Sequence, residues 1–175
     1  MNRYSILFFV LVFSSSVAAA QDIPSFFKVS VSNSGVDYYA PKETVKIDTA
    51  HSPDGSIVYT AEDVQGKYSY GLILVQLKDP VEGGNTDEEN LLISYLDYLK
   101  TSLEIVTAGD YVKGLMLADY TNVIGIGNRW VDKEDDIYAV RGYVNKDYIA
   151  VMYIYSKTET PESISYRYFA GLRLP

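Results

Sequence analysis

One histidine, His51, and no cysteine stand among the 175 residues, so this chain can assemble few nucleophiles, bases or metal ligands. Thiolate chemistry, disulfide frameworks and multi-histidine zinc sites are excluded. Carboxylates are plentiful: 23 Asp+Glu face 15 Lys+Arg, for a net charge of -8. That balance argues against nucleic acid as a partner, because phosphate recognition draws on a basic patch, and against adsorption to anionic lipid.

The residues that remain as candidates each have a plain reading. Ser69 lies in Gly66-Lys67-Tyr68-Ser69-Tyr70-Gly71, which lacks the Gly-x-Ser-x-Gly spacing of a nucleophile elbow. His51 adjoins a turn, with no activated nucleophile identifiable for it to serve. Gly125-Ile126-Gly127 lacks the third glycine and the following helix of a phosphate-cradling loop, and reads as a strand kink or a close backbone approach. Asp132, Glu134, Asp135 and Asp136 crowd four carboxylates into five residues, the oxygen-rich chemistry calcium takes. Lys133 interrupts them and EF-hand spacing is absent, so the loop reads as a solvated turn. No catalytic residue, metal ligand or cofactor is expected.

Binding chemistry is better represented. Arg129 and Trp130 stand immediately before the acidic loop, and interface energy concentrates in a few Trp, Tyr and Arg residues while neighbouring charges steer encounter. Arg129, Trp130, Asp135 and Asp136 are therefore the expected partner-binding residues. Seventeen tyrosines, several at strand spacing such as Tyr68 and Tyr70 or Tyr153 and Tyr155, offer an alternative: an aromatic-lined cavity for a small apolar ligand.

These residues must be positioned by the elements around them. Residues 1–20 carry Arg3, an apolar run of about eight residues and a small-residue end at Ala18-Ala19-Ala20, the pattern of a cleaved secretory signal too short to span a bilayer. The mature chain, 21–175, suits a single domain that is periplasmic or secreted. Alternation predicts strands over 44–51 and 56–63, joined by a type I turn at Ser52-Pro53-Asp54-Gly55. A continuously apolar strand follows over 68–77. A Thr86/Glu89 capping box predicts a helix whose stripe runs Leu92, Leu96, Leu99, Leu103 and Val106, ending near Gly109. Strands are expected over 111–121, 123–131, 136–144 and 148–156, the last two joined through Asn145-Lys146-Asp147. Thr160-Pro161-Glu162 predicts the start of a short final helix.

Strands, one long helix, more strands and a closing helix make an α+β plan, an antiparallel β-sheet flanked by helices. In its Pro53-Asp54-Gly55 hairpin, its helix over 86–106, its paired strands IYAVRGYVNKDYIAVMYIY and its closing FAGLRL, the chain resembles the PsbP-like fold family. The resemblance implies an α/β/α sandwich without catalysis that works by binding a partner; it carries over no functional residue. The expectation is an exported, noncatalytic binding or accessory protein whose partner is another exported protein.

Overall fold

The computed structural model describes residues 24–117 and 120–175, and the expected signal segment, residues 1–20, lies outside the described residues. The elements run β1 (Phe27–Ser30), β2 (Asp37–Ala40), β3 (Ile47–His51), β4 (Ile57–Gln65), β5 (Tyr68–Gln76) and α1 (Asn85–Ser102). After the helix come β6 (Ile105–Ala108), β7 (Val112–Leu115), β8 (Ile124–Asp132), β9 (Ile137–Val144), β10 (Tyr148–Ser156) and α2 (Glu162–Phe169). No described helix is long and apolar enough to cross a membrane.

One antiparallel sheet dominates, in the order β3-β4-β5-β10-β9-β8-β6, with β7 continuing along β8 where β6 leaves it. The apolar strands sit at its centre: β10 pairs β5 through Met152–Leu72 and β9 through Met152–Arg141. Side chains alternate between faces. On one face Tyr70, Leu72, Ala150, Met152 and Ile154 meet the β1-β2 hairpin, α2 and the C-terminal residues Leu172 and Leu174. On the other, Ile73, Val75, Val140 and Val151 meet Leu92, Leu96 and Leu99 of α1. A strand buried on both faces needs apolar residues at every position, which is why β5 and β10 read as unbroken runs.

Asp54 builds the expected 52–55 turn. Its carboxylate accepts from the Ser52 hydroxyl, from the Ser56 N–H at 3.1 Å and from Ser56 Oγ at 2.8 Å, while Gly55 takes φ 91°. The Asn145 turn forms too, its side-chain oxygen accepting from the N–H groups of Asp147 and Tyr148 at 3.0 and 2.8 Å.

Three local expectations are corrected and one strand is added. The capping box does not form: Gly84 caps α1 with φ 72°, and the Glu89 carboxylate is taken by Lys113 Nζ at 2.6 Å. The helix stops at Ser102 because Ile105, Val106 and Thr107 are all β-branched and prefer the strand β6; Val106 is 64% exposed rather than part of a buried stripe. Pro161, with ψ 139°, caps α2 in place of Thr160, whose hydroxyl is buried without a partner. The strand β2 was not expected; it is held by pairing with β1 and by a bridge to the C-terminal tail, Asp37 N–H to Arg173 carbonyl at 3.0 Å.

Candidate partner-binding groove

The four residues expected to meet a partner part company in space. Trp130 points into the α1 side of the sheet at 0% exposure, so it has no surface to offer and is a core residue. The cause is parity: Trp130 pairs with Tyr138 in the row that faces α1, and Arg129, one residue away, faces the opposite side. Asp135 and Asp136 belong to the turn beyond β8. Asp135 is exposed with φ 65°, and Asp136 pairs with Lys157 at 3.2 Å. The acidic cluster is internally committed: Asp132 Oδ1 accepts the N–H groups of Glu134 and Asp136, both at 2.9 Å, and Oδ2 accepts the Tyr138 hydroxyl at 3.2 Å. Lys133 is held by Glu104. No group of three or more His, Cys, Asp or Glu side chains arranged to hold a metal occurs among the described residues.

Arg129 lines a concavity. On the α2 side of the sheet, between α2 and the strand β7, lies a groove of about 340 Å³. Its floor is Gly127 and Ala139, its α2 wall is Ser165 and Phe169, and its outer rim is Val112 and Leu115. The floor is low because α2 and the hairpin cover the other half of this face, over β5 and β10, and because Gly127 has no side chain to raise it. Gly125 and Gly127 fulfil the expected close approach. A Cβ on Gly125 would stand 2.2 Å from the Leu115 carbonyl oxygen, and one on Gly127 would stand 2.9 Å from Leu115 Cδ1. The register of β7 on β8 slips between Lys113 and Leu115 at this contact.

The polar groups of the groove are mostly donors. Arg141 enters from β9, opposite Gly127, half-buried with its guanidinium carbon 4.9 Å from the Phe169 ring centre. No carboxylate lies within ion-pairing distance of Arg141 among the described residues. Arg129 donates through Nε to Glu159 at 2.8 Å, in a pair exposed on both sides. Exposed pairs of this kind are worth about 0–1 kcal/mol, so Arg129 is exchangeable. Asn128, opposite Val140 in the row that faces α1, lends the groove only its backbone; its side chain is nine-tenths buried on the other side, its oxygen accepting the Arg129 N–H at 2.7 Å and its Nδ2 without a partner. Asp110 is the acidic member of the lining. Burial raises the Tyr143 pKa, with Arg141 beside it pulling the other way.

Sequence reasoning missed Arg141 and Phe169. Arg141 carried a signal, as the single charged residue inside the apolar run IYAVRGYV. A charge in a strand otherwise buried on both faces marks where that face opens.

Tyr39 and Tyr166 line an open hollow of about 490 Å³ with Phe26 and Arg167, whereas Tyr138, Tyr153 and Tyr155 pack on one another. Tyr138 and Tyr155 stack with ring centres 4.7 Å apart, and Tyr153 lies against both. Tyr153 and Tyr155 donate their hydroxyls to the two oxygens of Glu62 at 3.0 and 2.9 Å. The Tyr153 ring occupies the place of the side chain that Gly71 lacks, 2.0 Å from where its Cβ would be. Beside Tyr153 is a polar hollow of about 290 Å³ lined by Lys46, Asp48, Thr60 and Glu62, unlike an apolar ligand cavity.

His51 and Ser69 are separated by the length of β4. Their cross-strand partners, Ile57 and Val64, are seven residues apart, about 23 Å along a strand, so His51 is out of reach as a base for Ser69. Comparison of the chain with protein-family models and with curated proteins finds no match, and the groove is defined by its geometry alone.

Proposed function

We propose that this chain is an exported, noncatalytic binding or accessory protein that engages another exported protein through the groove between α2 and β7. The observation that carries the reading is the groove itself: half of one sheet face left open, with Arg129 and Arg141 in it and Val112 on its rim at 57% exposure. An apolar rim around a few well-placed donors is the anatomy of a contact surface. Export rests on the Ala18-Ala19-Ala20 pattern and the short apolar run before it. The PsbP-like arrangement belongs to the same proposal, supported by one helix over one face of the sheet and the hairpin with α2 over the other.

The experiment is a fold-controlled capture. Val112→Asp sits on an exposed rim and leaves the core untouched, so its melting curve should match the parent. Its capture of the partner from an exported-protein extract should fall at least tenfold, since a charge is placed where apolar contact is made. Capture that survives Val112→Asp unchanged would remove the groove from the interface.

A further inference from the structure

The proposed binding role leaves the chemistry of the partner open, and the donors of the groove narrow it. Arg141 is placed where a charge is costly, in the middle of β9, with Met152 and Gly127 as its cross-strand neighbours. Its guanidinium lies over the Phe169 ring, a stack that uses the π face rather than the N–H edges of the fork, and the Tyr143 hydroxyl lies close enough to interact with it. Arg129 is its diagonal neighbour on the same face, Arg129 opposing Ala139 while Arg141 opposes Gly127. Diagonal positions are about 7–8 Å apart, so two like charges converge on one opening of a protein whose net charge is -8. Two guanidinium groups at one opening share one complement, an anionic oxygen acceptor.

Resting on that binding role, we propose that the groove receives an acidic side chain of the partner, its carboxylate on the Arg141 fork and its flanking apolar residues on Val112, Leu115 and Phe169. A planar fork matches a carboxylate with two parallel hydrogen bonds, which a lysine or an amide ligand would not reproduce. The exposed Glu159 carboxylate, already on Arg129, shows which functional group this face accepts. Asp110 at the Gly109 end repels a second acid there, which sets the carboxylate at the Arg141 end.

The test uses the purified protein and two capped tripeptides, acetyl-Leu-Glu-Leu-amide and its Gln counterpart, with glutarate as a free small acid. Side-chain N–H resonances of Arg141 and Arg129 are followed by NMR. The Glu peptide should move both saturably, the Gln peptide should bind at least tenfold more weakly, and Arg141→Met should lose at least tenfold. Met keeps the unbranched stem, so folding is preserved; Arg141→Lys keeps the charge without the fork and should fall between. No saturable shift up to about 10 mM, or equal binding of Glu and Gln peptides, overturns the proposal. Glutarate binding as tightly as the Glu peptide overturns the partner-segment origin of the carboxylate. If Val112→Asp abolishes partner capture while Arg141→Met captures like the parent, the binding role stands and the carboxylate inference falls. If the Glu peptide binds Arg141 while neither variant affects capture, the carboxylate site stands and the partner role falls.

Discussion

Replacing Trp130 separates the core from the interface more sharply than any other single change. The indole is the only one in the chain and is fully buried against the α1 side of the sheet. Truncation to alanine leaves a cavity that the neighbouring strands cannot close, and aromatic-to-alanine changes of this kind cost about 3–5 kcal/mol. The indole N–H, however, has no acceptor. Trp130→Phe gives up part of the packing but also removes an orphaned buried donor, whose burial costs about 1–3 kcal/mol. The two terms nearly cancel, so Trp130→Phe should lie within about 1 kcal/mol of the parent while Trp130→Ala does not. Urea unfolding followed by far-UV circular dichroism measures both without relying on the fluorophore being changed. In the parent, Trp130 emission should be blue-shifted and shielded from iodide. A Trp130→Ala protein within about 1 kcal/mol of the parent, or an indole open to iodide, would refute the placement.

Other consequences are equally direct. Gly71→Ala puts a methyl into the Tyr153 ring, so it should break the Tyr153–Glu62 bond and cost about 1–3 kcal/mol in urea unfolding, and Gly71→Ala/Tyr153→Ala should recover part of that loss. Hydrogen bonds from Ser52, and then from Ser56, hold the Asp54 carboxyl down at about 2. A depressed folded pKa gives stability that is present above the unfolded value near 4 and lost as pH falls through about 2, so Asp54→Ala should flatten the acid limb of a stability profile in that window. Burial pushes Tyr38, Tyr70 and Tyr95 up to about 12. The folded state favours the neutral phenols, so their contribution is complete below pH 10 and lost as pH rises towards 12; absorbance at 295 nm should show these rings ionising with unfolding rather than before it.

The central strands and both turn motifs were legible because their signals are local. Apolar runs in β5 and β10 and the side-chain acceptors Asp54 and Asn145 need no distant partner to be recognised. The ends of α1 were not, because the apolar spacing through Leu103 and Val106 fits a helix and β-branching at Ile105, Val106 and Thr107 decides against it. Placing Arg129 and Trp130 together on one surface failed for a reason of parity: adjacent residues in a strand face opposite sides, and which side is covered depends on where α1 packs. The groove could not be read at all. Val112, Gly127, Arg141 and Phe169 come from β7, β8, β9 and α2, and only the strand order brings them together.

The central claim, that a partner is engaged at the groove between α2 and β7, is tested most directly by site-specific photo-crosslinking. A photoreactive residue at Val112, on the groove's rim, is compared with one at His51, exposed on the opposite edge of the sheet. The account predicts a discrete adduct from position 112 that is competed by the unlabelled parent protein and absent from position 51. Equal adducts from both edges, or an adduct from position 51 alone, would contradict it.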